Sequence, residues 1–154
     1  MNKPVSIKSS IMPAYDADGY GWAMAQARLI REGRTDGIDW ENVAEEIESV
    51  GRSELDKAES ALRVLIVHIL KWQHQPDRLA RSWALSILEQ RLRYADIIDQ
   101  NPSLKPKRDE MRLRAHRRAR IEAARETELD LAAFSEEPLD WPVILDQPFA
   151  IAAH

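Results

Sequence analysis

The stretch from Leu62 to Trp72 is apolar around most of a helical circumference, and no other feature restricts the fold so strongly. Leu62, Leu65, Ile66, Ile69 and Trp72 recur on one face, while Val64 and Val67 carry the apolar surface further round. A helix of this kind has to be covered on several sides. The segment Glu54 to Gln75 is therefore expected to be a central rod, roughly 30 Å long at 1.5 Å per residue. Gln75-Pro76 ends it, because the residue before proline is pushed out of the α region.

The neighbouring segments supply the helices that would cover the rod. Asp16 or Asp18 offers a cap for a first helix from about Gly19 to Glu32, with Tyr20, Ala23, Ala27 and Ile30 at helical spacing and Trp22, Gln26 and Leu29 beside them. Gly33 supplies its stop. Asp39 can cap a second helix from Trp40 to Val50, whose stripe is Trp40, Val43, Ala44, Ile47 and Val50. Gly51, followed by Ser53 and Asp56 as a variant capping box, favours a break or kink before the rod begins. A further helix from Asp77 to Asn101 carries Leu79, Trp83, Ile87, Tyr94 and Ile98. Ser103 then caps one running to about Glu128, with Pro106 in its first turn, and a short helix follows at Trp141 to Asp146. Trp40, Trp72 and Trp83 fall on apolar stripes and are expected in the core.

No segment alternates with period two between turn residues, so no sheet is expected. The fold class expected is all-α: an up-down helical bundle of about five helices with a short C-terminal helix. Residues 1–14 are expected to be a flexible arm, 15–146 a single helical domain and 147–154 a tail. At 154 residues and 44% hydrophobic the chain is long and apolar enough to bury a core. The absence of Cys excludes a disulfide scaffold and a Cys-ligated zinc site. With no run of some 20 apolar residues and no apolar signal core, no membrane partner and a cytoplasmic location are expected.

Charge is laid out in blocks. Residues 1–60 hold 7 basic and 12 acidic side chains, residues 101–125 hold 9 and 3, and residues 126–154 hold 7 acidic and no basic ones. A basic helix at 105–125 could track phosphates, but it lacks interleaved aromatics and a helix-turn-helix glycine. The acidic tail that follows it matches it in size, so internal neutralisation is preferred and nucleic acid is disfavoured as a partner.

One constellation stands out as a candidate site. His68, Lys71 and Gln75 lie within about 60° of one another on the rod, and Arg78 and Arg81 follow across Pro76. Lys71 needs a carboxylate, and Glu46, with Glu45 and Glu48, is the expected supply. The cluster Glu46, His68, Lys71, Gln75, Arg78 and Arg81 reads first as a salt-bridge network that fixes helix register. Read as chemistry, it would be an anion site with His68 as acid or base. His68 and His74, six apart, point about 240° from each other, and no Glu-x-x-His pair occurs, so no metal and no cofactor are assigned.

Five ordered strings carry a family resemblance: YDADGYGWAMAQARLIREG (Tyr15 to Gly33), IDWENVAEEIESVGRSE (Ile38 to Glu54), HILKWQHQPDRLARSW (His68 to Trp83), NPSLKP (Asn101 to Pro106) and ARETEL (Ala124 to Leu129). Together they resemble a bacterial family known as domain of unknown function 29, over roughly Tyr15 to Leu145. The resemblance implies a small all-helical protein and carries no substrate, cofactor or catalytic residue. The sequence departs from that pattern at Asn101, where the family commonly has Ser, and at Glu128-Leu129, where a Thr-Gly pair often precedes the hydrophobic residue. With no catalytic constellation, whether the protein is an enzyme stays open, with a non-enzyme favoured. The reading preferred is a helical module acting through contacts with a second copy or another protein. An anion- or metal-dependent hydrolase around His68 and Lys71, and nucleic-acid binding by 105–125, are the alternatives.

Overall fold

The computed structural model describes residues 12–150. Among them are five α-helices and no strand: α1 (Gly19–Arg31), α2 (Trp40–His74), α3 (Arg81–Gln100), α4 (Arg108–Thr127) and α5 (Trp141–Leu145). Most of the expected N-terminal arm, and residues 151–154 of the expected tail, lie outside the described residues. Contacts divide the chain into two compact units, one ending at Val50 and the other beginning at Gly51.

In the first unit, Asp18 caps α1 by accepting the Gly21 N–H at 2.9 Å, and Gly33 ends the turn beyond it with φ 69°, the left-handed conformation glycine adopts without strain. Asp39 caps α2 through the Asn42 N–H and also accepts the Trp22 indole N–H at 3.1 Å. The buried residues of α1 are Trp22, Gln26 and Leu29. These are the residues noted beside the stripe Tyr20, Ala23, Ala27 and Ile30, of which Tyr20 and Ile30 are exposed. Likewise Val43 is buried, whereas Trp40, Ile47 and Val50 are exposed.

The helices of the second unit are ordered by their polar pairs. Arg114 Nε donates to Glu59 at 2.8 Å, Arg63 pairs with Glu122, and Lys71 Nζ lies 2.7 Å from Glu126. Numbers on α2 and α4 rise together, so these helices run parallel. Asn101 donates to Glu54 at 3.2 Å, while Lys71 sits over the Trp83 ring at the other end, so α3 runs antiparallel to α2. The result is an up-down-up arrangement. Ala58, Ala61, Leu62, Leu65, Ile66 and Ile69 of α2 are fully buried with Met111, Ala115, Ala119 and Ala123 of α4 in one cluster. Alanine on both helices is what a close helix approach requires. Phe134 and Ile144 fill the cluster from the C-terminal segment, and Phe149 of the expected tail packs edge-on to Trp72.

Three expected boundaries are corrected. Gly51 neither breaks nor ends a helix: α2 runs unbroken from Trp40 to His74, and the Ser53 capping box is unused. A single interior glycine costs about 1 kcal/mol relative to Ala, too little to interrupt so long a helix. The helix expected from Asp77 starts instead at Arg81, because Ala80 is extended after the 3₁₀ turn Pro76–Arg78. The helix expected from Ser103 begins as 3₁₀ over Pro102–Lys107, since Pro106 has no N–H for an α-helical bond. Trp40 is 58% exposed and is no core residue.

A Cβ added at Gly51 would meet nothing within 4 Å. Gly51→Ala is therefore expected to stabilise the protein by about 1 kcal/mol in denaturant unfolding. A helix broken at this position would instead lose stability on the change.

Candidate functional site

Of the residues singled out from the sequence, Lys71 is the most engaged. Its ammonium is held by Glu126 and lies 4.7 Å from the centre of the Trp83 ring, with the side chain only 14% exposed. Its carboxylate comes from α4, and not from Glu45, Glu46 or Glu48. His68 is half-buried and its Nδ1–H donates to the Val64 carbonyl one turn back at 2.8 Å. Gln75 Nε2 reaches the Thr127 carbonyl at 3.5 Å. Arg78 lies in the 3₁₀ turn after α2 and Arg81 opens α3, both exposed. Glu46 belongs to the first unit, where it accepts the Tyr15 hydroxyl hydrogen bond. Lys71 and Gln75 thus share partners near the end of α4, and Glu46 has a partner of its own elsewhere. Among the described residues no group of three or more His, Cys, Asp or Glu is placed to hold a metal ion.

Part of the basic helix α4 is engaged from within the chain, with the acidic tail a minor partner, while Arg117, Arg118 and Arg125 are exposed. Arg114 pairs with Glu59 and Glu110, Arg112 donates to the Leu139 carbonyl, and Arg120 donates to the Phe134 carbonyl at 3.0 Å. Arg120 approaches Glu136 of the tail only at 3.9 Å. Arg108 and Arg112 flank the Trp141 ring, whose N–H donates to Asp109. Arg91 of α3 ties down α5 by donating to the carbonyls of Val143, Ile144 and Gln147, and its burial pulls its pKa down against the nearby Asp146 charge.

An apolar concave surface belongs to the first unit. It is a groove of about 530 Å³ lined by Trp22, Ala23, Ala27, Ile30, Ile47 and Val50. Tyr15 also lines it, its ring edge-on to Trp22 with centroids 4.7 Å apart. The hydrogen bond to Glu46, then burial and the Glu46 charge, raise the Tyr15 pKa above its ordinary value. Gln26 Oε1 accepts the Asp39 N–H at 2.7 Å, and hydrogen bonds, first from Asn42, hold the Asp39 carboxyl below the usual range. Helical spacing in the sequence marks Ala23, Ala27, Ile30, Val43, Ile47 and Val50 of this lining as apolar stripes, without marking that they face a groove.

His116 of α4 is the buried titratable group that sequence reasoning passed over, since it flanks the Met111, Ala115, Ala119 stripe instead of belonging to it. Its Nε2–H donates to the Ser135 carbonyl at 2.9 Å, and its buried Nδ1 has no partner among the described residues. Burial pushes its pKa below 6.5, partly offset by the Ser135 bond and reinforced by the Arg120 and Arg112 charges.

The described residues form an all-α protein with an apolar groove in its first unit and a basic helix, α4, of which Arg112, Arg114 and Arg120 are engaged from within the chain. The chain belongs to the family described as domain of unknown function DUF29, whose model matches residues 14–150. Among curated proteins and among solved structures, no match is found.

Because the unfolded chain takes up a proton at His116 near pH 6.5 and the folded chain resists it, stability is complete above about pH 6.5. It falls as the pH drops from there toward the lowered folded value, by about 1.4 kcal/mol per pH unit across that window. Urea unfolding of the native protein and of His116→Gln between pH 7.5 and 5 checks this. The slope is expected to be shallower in the variant, and equal slopes would show that His116 carries no such linkage.

Proposed function

We propose that this protein is a non-catalytic helical module that docks a partner protein, and that the groove of the first unit receives an amphipathic helix with lysine or arginine flanking its apolar face. The observation that supports this most is where the apolar stripes end up. Ile30, Ile47 and Val50 repeat at helical spacing as core residues do, yet remain 48%, 67% and 67% exposed along one groove. Apolar surface gathered in a groove is the usual mark of an interaction site, and single scattered residues are not.

Charge argues for the chemistry of the occupant. Residues 12–50 hold nine carboxylates against three arginines, so a helix with basic flanks is drawn to this unit and an acidic one is repelled. Polar atoms in the groove are engaged with one another: Glu46 with Tyr15, Gln26 with Asp39, and Trp22 with Asp39. That leaves apolar burial as the main source of affinity and presents no nucleophile with a base beside it. The hydrolase reading around His68 and Lys71 has less support, because Lys71 already holds a carboxylate and Glu46 is engaged by Tyr15.

A synthetic amphipathic peptide of leucine and lysine, with a leucine and glutamate counterpart of the same pattern, tests the reading by fluorescence anisotropy. The lysine peptide is expected to bind and the glutamate peptide to fail. Ile47→Glu and Val50→Glu are expected to weaken binding about tenfold or more without lowering the melting temperature, since both side chains already face solvent. Equal affinity for the two peptides, or full affinity in both variants, would contradict it.

A further inference from the structure

A different apolar row lies on the outer face of α3. Its buried residues are Ile87, Tyr94 and Ile97. At 100° per residue, Arg81, Leu85, Leu88, Leu92, Ala95 and Asp99 fall on the opposite side. These six positions are separated by alternating steps of four and three, the a and d spacing of a coiled-coil seam. All six are exposed, with Leu85, Leu88 and Leu92 at 53%, 54% and 68%. Beside the row runs a cleft of about 640 Å³ that includes Leu88, Leu92, Ala95, Ile98 and Leu145. The surface therefore offers both a ridge of leucines and a hollow next to it.

The ends of the row say what covers it. We infer that α3 pairs with α3 of a second copy of this chain, antiparallel and related by a two-fold axis near position 90, so that Leu88 meets Leu92, Leu85 meets Ala95 and Arg81 meets Asp99 of the other copy. In that register every pair of positions adds to 180, and each contact occurs twice by symmetry, as an isologous interface requires. The opposite charges at the two ends of one seam are what select this arrangement. A parallel, in-register pair would set Arg81 on Arg81 and Asp99 on Asp99, like charge on like at both ends of a seam roughly 27 Å long. A shift by one heptad in the antiparallel sense would place a charged end against leucine or leave it beyond the seam. This surface lies wholly within the second unit and uses none of the groove assigned to a partner, so the two readings stand or fall separately.

The chain contains no cysteine, which makes cross-linking a clean test of register. Mixed samples of Leu85→Cys and Ala95→Cys are expected to form a disulfide-linked dimer on oxidation, while each variant alone forms little. Sedimentation equilibrium of the native chain is expected to give twice the chain mass at tens of micromolar. Leu92→Glu is expected to halve it with an unchanged helical spectrum and melting curve measured at low concentration. Arg81→Asp and Asp99→Arg are each expected to weaken the dimer, and their combination to restore it. A native chain that stays monomeric, an unchanged mass for Leu92→Glu, or strong cross-linking of Leu85→Cys with itself would overturn the proposal.

Discussion

The parallel contact between α2 and α4 is the constraint on which the second unit depends. Ala58 and Ala61 on one helix and Ala115, Ala119 and Ala123 on the other are fully buried in one cluster, and side chains this small suit a close helix contact. Parallel neighbours cannot be joined by a short turn. The chain has to travel back along the bundle first, and α3 is that return, bounded by the Pro76 and Pro102 turns. The ion pairs Arg114–Glu59, Arg63–Glu122 and Lys71–Glu126 line the same contact and fix the register in which the alanines meet. Ion pairs that stay partly open to solvent contribute little each, about 0–1 kcal/mol. Their service is to exclude other alignments of two smooth apolar faces.

This arrangement also explains how a helix as basic as α4 sits inside a folded chain. Its alanine face is narrow; Arg117, Arg118 and Arg125 are exposed, whereas Arg108, Arg112, Arg114 and Arg120 are engaged by the rest of the chain. The latter meet carboxylates of α2, carbonyls of residues 131–139 and the face of Trp141. Each bond holds a part of the irregular C-terminal segment against the helices, where Phe134 and Ile144 complete the core. The packing is not fully satisfied: His116 gives one ring nitrogen to Ser135 and buries the other, and Arg112 buries its Nε, without a partner among the described residues.

Much of this fold is legible in the sequence. The rod of Leu62 to Leu70, the caps at Asp18 and Asp39, the stop at Gly33 and the absence of strands all follow from local periodicity and turn chemistry. What periodicity cannot say is whether an apolar face is covered. Tyr20, Ile30, Ile47 and Val50 repeat as faithfully as Leu62 and Ile66, and the sequence offers no local mark to separate a face that meets another helix from one that does not. The same gap misled the reading of Gly51, where local capping signals were outweighed by the continuity of a long helix. In the polar cluster, Lys71 found its carboxylate 55 positions on, at Glu126, because tertiary proximity and not sequence proximity chooses ion-pair partners. Glu128, where the sequence departs from the family pattern it resembles, ends α4 in the left-handed region at φ 60°, a conformation that favours glycine.

Native-state hydrogen exchange resolved by residue tests the central rod most directly. Amides from Leu62 to Leu70 are expected to be the slowest in the chain and to exchange only with the free energy of complete unfolding, because no smaller opening exposes them. Exchange of those amides through low-energy local openings, as fast as amides of the solvent-facing turns near Ile47, would contradict the account.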